Sequence, residues 1–534
     1  MRRLQWLCSA AFLMLASPSL AQGAGAGGIV PGTAAGADAL RQELARFVGT
    51  SAFDAGFLRI SPDEKGYRLT VNFSTDFNVP GEGAGDAPAV DVSLKSYSVR
   101  IGQLSDGTWQ VQGNDPMLLD WSIKVGGQET RVSYDVSPIV FSGIFSPEIS
   151  TFSTLAGSAD STRVKQTGPE GDVTVSIGKQ SFAMSASKAA GGGADFTMSQ
   201  TGENLVERLD MMADPERPTE RIPVDIKVAT IDFNASAKAL RSREILDLYA
   251  LALPMLAEKN IGDHQEELRE KLLALLPLWD EFRGEYSFNG IDVSTPAGTF
   301  AIDKALVDAK ADGVEDDSAF SYSFAVEGIR TQSDLIPAWT QPFLPQKLNL
   351  ALGLENVDLA APARIAIENF QFDKTPPLSP GAEAAIAATF DGNLPVLKIA
   401  PSSITGPGYS VSMSGQIALD TKTPASDFDI SATGLDAVSK QLQAAGADHP
   451  EALQTLGFVS FAKGFAKTQP DGSALWHVET KADGSVFING TMMKAPTPPE
   501  DLSDPEADEQ EAPDQTEVDA PESDMDTPAP NGGN

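Results

Sequence analysis

Cysteine is all but missing from this chain of 534 residues: the single one is Cys8. It lies within an apolar leader, Leu4 to Ala16. Once that leader is removed, no disulfide, thiolate metal site or cysteine nucleophile remains, and stability has to come from burial rather than cross-links. Histidine is nearly as scarce. His264, His449 and His477 stand far apart, none with a second His or a Cys at ligand spacing, which argues against a zinc site. Long apolar runs are lacking after the leader. The richest, Leu268 to Leu278, carries Arg269, Glu270 and Lys271 and is broken by Pro277, so it does not read as a membrane span.

Positive charge is also in deficit. The formal net charge is −35, from 74 acidic and 39 basic residues. The last 40 residues, Ala495 to Asn534, hold 13 Asp and Glu and no Lys or Arg. An acidic body repels phosphates, so nucleic acid is not expected as a partner. Anionic lipid headgroups are repelled in the same way, and lipid contact would have to be apolar and enclosed. The tail is rich in Pro, Asp and Glu, with little to bury. It is expected to be disordered and to act as a solvating segment, the alternative being weak Ca²⁺ or Mg²⁺ association or a handle for a basic partner.

What is present begins with an export signal. Arg2 and Arg3 form a positive start, Leu4 to Ala16 the apolar stretch, and Pro18 ends it. Ser19-Leu20-Ala21 places small residues where a signal peptidase reads, so cleavage is expected between Ala21 and Gln22. Cys8 falls before the end of the apolar run rather than at the cleavage point, which argues against lipidation. The mature chain of 513 residues is therefore expected in the periplasm of a Gram-negative envelope. It is long enough for about three domains.

Period-2 alternation dominates the body. In Tyr67-Arg68-Leu69-Thr70-Val71-Asn72-Phe73 every odd position is apolar, the pattern of a half-buried strand. Val173/Val175/Ile177, Val224/Ile226/Val228, Leu348/Leu350/Leu352/Leu354 and Val411/Met413/Ile417/Leu419 repeat it. Trp121 to Val125, Gly126-Gly127 and Gln128 to Val136 read as a hairpin. Asp106-Gly107, Asp391-Gly392, Asp471-Gly472, Asp483-Gly484 and Asn489-Gly490 mark further turns. One polar face per strand implies antiparallel sheets. Helices are few. Asp38 is expected to cap one carrying Leu40, Leu44 and Phe47, and Ser242 to open one with Pro254 inside it. Asp263 is expected to cap a third carrying Leu268, Leu272, Leu275 and Leu276, paired with the second as a hairpin.

Asp195 to Gly202 and Asp427 to Gly434 match in Asp, Phe, Ser, Thr and Gly without gaps, and Phe320 to Gly328 has the same shape. Each predicts a strand, a glycine and a short helix, and hence related units. The fold class expected is α+β and β-dominated. It has large twisted, mostly antiparallel sheets in two or three related modules, with a few flanking helices and a disordered acidic C-terminal tail. The expected divisions are a signal peptide over 1–21, a flexible linker over 22–37, and β-rich modules over 38–218, 219–340 (with the helical hairpin) and 341–494. The tail covers 495–534.

Catalytic patterns are not found. Ser185-Ala186-Ser187-Lys188 fits S-x-x-K but lacks companion motifs and sits in an alternating run. Gly178-Lys179-Gln180 lacks the rest of a phosphate loop. Asp308 to Asp317 resembles a Ca²⁺ loop, but Lys310 and Ala319 occupy ligand positions, so it reads as a solvated turn. No catalytic residue, metal ligand or cofactor is expected.

Gly408-Tyr409-Ser410-Val411-Ser412-Met413-Ser414-Gly415 through Asp420, Asp427 to Val438, and Ala482 to Gly490 resemble the C-terminal part of an exported alphaproteobacterial family, domain-of-unknown-function family 2125. The resemblance covers the last third of the chain and implies no activity. The strands are more distantly similar to those of AsmA-type envelope β-proteins, associated with lipid movement or outer-membrane homeostasis, which differ in carrying an N-terminal membrane helix. The expected function is non-catalytic binding of a lipid or other apolar ligand in the cell envelope. A periplasmic scaffold or protein-partner-binding module is the alternative, and a hydrolase the third reading.

Overall fold

A computed structural model describes residues 29–78, 89–125, 127–169, 171–214, 217–258, 261–372, 374–390, 394–419 and 424–496. The leader with Ala21 and Gln22, the Asp391-Gly392 turn and the tail from residue 497 lie outside them.

The described helices are α1 (Ala34–Val48), α2 (Ser51–Asp54), α3 (Ser242–Glu258), α4 (Gln265–Leu275), α5 (Ala360–Asn369), α6 (Pro380–Ala388), α7 (Leu435–Ala445) and α8 (Pro450–Gly464). The strands begin with β1 (Leu58–Asp63), β2 (Gly66–Asn78), β3 (Ala89–Gln103), β4 (Trp109–Val125), β5 (Gln128–Ser146), β6 (Thr151–Ala159), β7 (Thr162–Gly168), β8 (Gly171–Ile177) and β9 (Gln180–Lys188). They continue with β10 (Ala194–Asp214), β11 (Arg217–Leu240), β12 (Glu281–Thr295), β13 (Gly298–Asp312), β14 (Ser318–Glu327), β15 (Arg330–Ser333), β16 (Lys347–Val357), β17 (Val396–Gly406) and β18 (Tyr409–Ala418). Last come β19 (Ala425–Thr433), β20 (Lys467–Thr468), β21 (Ala474–Thr480), β22 (Val486–Ile488) and β23 (Thr491–Lys494). The fold is β-dominated and every strand pairing is antiparallel, as the alternation implies. All the strands belong to one sheet. Hydrogen-bonded pairing runs through both expected module boundaries: β11 spans the first while paired to β10, and β14 pairs with β16 around the second.

The order is a meander. Each row of the sheet is the next piece of chain. β6 and β7 lie end to end along β5, β9 and β8 continue the pattern, and β14 and β15 lie end to end along β13. Short local turns suffice: Asp106 Oδ1 accepts the Thr108 amide at 3.0 Å, with Gly107 at φ 84°, and Asn489-Gly490 has both residues at positive φ, the hairpin geometry that Asn-Gly favours.

A transverse crease crosses the long strands. It passes Ser137 in β5, which accepts the Asp160 and Ser161 amides on its hydroxyl at 2.9 and 3.0 Å. It continues through Gly178, bonded to Glu203 O at 2.8 Å, then Asn204 (φ 54°), Gly290 (φ 62°) and Gly328 (φ 70°). At the crease the side-chain parity resets. In β5 the inward set is Val132 and Val136 before it and Ile139 after it, all buried. From β8 to β9 the set is Val175 and Ile177, then Gln180 and Phe182. Without the reset, the apolar set of each strand would pass to the other face at mid-length. β-Bulges supply such a reset by adding a residue to one strand.

Residues directly opposed in register share a face, so the pairings trace one apolar row across the sheet. It runs Ala159, Gln180, Gly202, Ile231, Phe288, Ala305, Val326, Leu348, Ile404, Val411, Ala432 and Ala474. At roughly 4.8 Å per strand this is on the order of 50 Å. A parallel row alternates Gly113, Phe141, Gly157 and Phe182. The rings lie over the glycines: a Cβ on Gly113 would run into the Phe141 ring, and one on Gly157 would meet the Phe182 ring at 2.7 Å. Tyr97, Met117 and Phe141 pack on the patch holding Ala159, which leaves it 1% exposed although the described strands form a single sheet.

The helices gather where strands end. α1 packs on α3, α3 on α4, α4 on α5 and α5 on α6. Ser242 Oγ donates to Ile149 O (2.5 Å) and Arg243 to Glu148 O (2.9 Å), fastening α3 to the β5–β6 turn. Arg269 Nη2 donates to Phe370 O at 2.8 Å, linking α4 to the end of α5.

Several local expectations need correction. The cap of α1 is Thr33, not Asp38: its extended backbone lets Oγ1 accept the Gly36 amide at 3.0 Å, and the helix takes in residues expected to be linker. Residues Ile261–His264 form a 3₁₀ turn, so His264 rather than Asp263 precedes α4. The strand–glycine–helix unit holds only at Gly434, which opens α7. Gly202 lies inside β10 and Gly328 between β14 and β15, because pairing to both neighbours keeps those segments in the sheet. Residues 308–312 belong to β13, and only 313–317 form the expected turn.

Packing at the two kinds of glycine predicts opposite outcomes. Gly157→Ala is expected to destabilise by about 1–3 kcal/mol through overpacking. Gly457→Ala in α8, where a Cβ meets nothing within 4 Å, is expected to stabilise by about 0.5–1 kcal/mol. Urea unfolding of both variants checks this.

Candidate functional site

The residue types that carry chemistry are dispersed. His264 precedes α4, its Nδ1 3.7 Å from Glu267. His449 precedes α8 and stacks on Trp339 with ring centroids 6.0 Å apart. His477 lies on β21, its Nδ1 3.0 Å from Asp429 Oδ1 and 3.5 Å from Asp427. The Asp429 hydrogen bond raises its proton affinity above that of a free imidazole, aided by the Asp427 charge. Among the described residues no group of three His, Cys, Asp or Glu could hold a metal ion.

Ser185 and Lys188 share β9 but not a partner. Ser185 Oγ is 2.7 Å from Thr197 Oγ1, and Lys188 pairs with Glu148 at 2.8 Å. Gly178-Lys179-Gln180 forms the crease between β8 and β9. Gln180 is buried there and donates to Thr162 Oγ1 at 2.5 Å. Asp308 is bound to Arg283 at 2.8 Å, and Lys310 to Glu281 at 2.8 Å. These ion pairs lie on the outer, polar face, where such contacts contribute little each.

The inner face is the extended feature. Its side chains are aliphatic and aromatic, and several remain open to solvent: Ile404 and Tyr322 are each 44% exposed and Phe300 is 39% exposed. Leu348, Leu350, Leu352 and Leu354 all point to it, opposed to Val326, Phe324, Tyr322 and Phe320. Two tightly packed patches interrupt the open stretches. One joins Val136, Ile139 and Ala159 beneath Tyr97, Met117 and Phe141. The other joins Val175, Ile177, Leu205 and Val228. A polar cleft lined by His264, Arg269 and Lys374 lies apart from this face, among the helices.

The acids on this face include Asp115 of β4, opposed to Ile139 and accepting the Ser98 amide at 2.9 Å, and Glu207. Glu207 of β10 stands opposite Val175 and Ile226, with Leu205 and Leu209 on either side along its own strand. It is half-buried, and no hydrogen bond or ion pair holds it among the described residues. Burial alone pushes its carboxyl above the usual carboxylate range, because desolvation penalises the charged form. The arrangement offers an apolar ligand a long bed with the Glu207 carboxyl in it. The sequence signal for Glu207 was an acid at an inward position of an alternating run. Reading it required knowing where the parity resets.

The Glu207 carboxyl costs stability while charged, and protonation removes that cost. Glu207→Gln is therefore expected to be more stable than the parent at pH 7. The gain should shrink as the pH falls through the raised pKa, vanishing below the ordinary carboxylate value. Thermal denaturation as a function of pH measures it, and a gain independent of pH would refute the assignment. No family model, curated protein or solved structure matches the chain.

Proposed function

We propose that this chain is an exported periplasmic protein that binds a lipid or another apolar ligand on the inner face of its sheet, without catalysis. The observation that carries the reading is the row from Ala159 to Ala474, apolar but for Gln180, with Ile404, Tyr322 and Phe300 left open along that face. A sheet face this long is normally buried against a second layer, and the described strands form no second sheet. At on the order of 50 Å it exceeds the roughly 30 Å hydrocarbon core of a whole bilayer. It therefore has room for an extended acyl chain or for several. No helix among the described residues is long and apolar enough to cross a membrane. The leader ending at Ala21 supports export, and the resemblance to exported family 2125 supports an envelope address.

Partner binding is a second reading, favoured by the sheet edge. Among the described residues β23 pairs only with β22, and its Met492 and Met493 are exposed, the setting for addition of a strand from another chain.

The test is mass spectrometry of organic extracts from the chain purified out of its envelope. Lipid is expected at near-stoichiometric levels, on a protein whose first residue is Gln22. An extract without lipid, together with failure to bind a fluorescent fatty acid, would overturn the ligand reading.

A further inference from the structure

Helix α8 has two apolar sides. One is buried on α7, where Ala452 and Leu442 are almost wholly enclosed. The other faces water: Phe458 is 76% exposed, Phe461 69% and Leu453 49%. Leu453, Gly457 and Phe461 stand four residues apart and so share one side of the helix, with Phe458 next to them. Leaving two phenylalanines this open forfeits the transfer free energy that burial would supply.

Three observations indicate what covers them. The first is charge. In a strongly acidic chain, the run Ala452 to Gln469 contains no Asp or Glu and includes Lys463 and Lys467. Lys463 is ion-paired to Asp436 of α7, and Lys467 follows the helix, so the general repulsion of anionic headgroups is reduced at this surface. The second is continuity with the apolar face. Trp476 lies on that face, opposed to Ile430, and its Nε1 donates to Ala462 O in the last turn of α8 at 2.8 Å. Asn489 Nδ2 donates to Phe465 O at 2.8 Å, tying the helix exit to β21 and β22. The third is a neighbour at the helix start. His449 stacks on Trp339 in the 3₁₀ turn Ala338–Phe343. Four residues earlier, Leu335 is 78% exposed.

We propose that the exposed side of α8 seats on a phospholipid bilayer surface, bringing the adjoining end of the sheet's apolar face to the membrane. This rests on the ligand reading above. An interfacial helix buries its apolar residues about 5–10 Å into the headgroup boundary, and basic residues beside them favour anionic lipid. Phe458, Phe461 and Leu453 are the inserting side chains, and Lys467 stands just past the C-terminal end of the helix, with Lys463 paired to Asp436 of α7.

Vesicle flotation of the mature full-length chain tests the proposal, using phosphatidylcholine vesicles with and without phosphatidylglycerol. The parent is expected to float with the vesicles, more completely when phosphatidylglycerol is present. Phe458→Ser/Phe461→Ser is expected to weaken partitioning about tenfold or more, with its circular dichroism unchanged. Brominated phosphatidylcholine should quench tryptophan fluorescence of the parent, a readout that does not depend on any variant folding. Failure of the parent to float or to be quenched would overturn docking. So would equal partitioning of a folded variant, or a variant that merely loses self-association. Lipid content of the purified protein separates the two ideas: a lipid-loaded chain that ignores vesicles defeats only the docking, whereas a lipid-free chain that floats defeats the ligand reading.

Discussion

The structure depends on keeping one face of a very long antiparallel meander apolar through a bend. Each strand must pair with both neighbours, and its side chains must alternate with period two. A strand that bends without adjusting its parity would turn its apolar half to water. Here the strands adjust together. The resets at Ser137, Gly178, Asn204, Gly290 and Gly328 fall on one line because each neighbour has to match the register of the last. The bends are therefore collective, and the residues that allow them are those that tolerate positive φ or supply a hydroxyl to an orphaned amide.

Packing follows from that constraint. Without a second sheet above it, small residues on the inner face would be wet. Aromatic rings laid over cross-strand glycines enclose them instead, as Phe141 does over Gly113 and Phe182 over Gly157. Polar residues on this face are tolerated where they bond one another, as Gln180 and Thr162 do. Glu207 has no such partner and bears the desolvation cost alone. The outer face carries the charge of the chain in exposed pairs such as Arg283–Asp308. The helices brace the strand ends, with α3 clasping the β5–β6 turn through Ser242 and Arg243.

Function is best approached from this asymmetry of faces. Histidines, acids and hydroxyls are scattered over the outer face and the turns, with each pair serving local structure. What is concentrated is apolar surface, on the inner face and on α8. The hydrogen bond from Trp476 to Ala462 joins the two into one neighbourhood. Binding chemistry there would be read by shape and burial more than by hydrogen bonds, which is the regime in which apolar ligands are held.

The sequence by itself determined the β-dominated class, the antiparallel pairing, the turns at Asp106, Asp471, Asp483 and Asn489, and the α3–α4 hairpin. These are local matters of period two, positive φ and capping, and a few residues carry each of them. Leu348 to Leu354 announced their shared face without any partner in view. Only the tertiary structure decided that all strands join one sheet, that Gly202 and Gly328 continue strands while Gly434 starts a helix, and that Glu207 and the ridge of α8 stand where they do. Those outcomes depend on which strands lie alongside, and a strand–glycine pattern has the same local energy whether the next segment finds a neighbour to pair with or turns away into a helix.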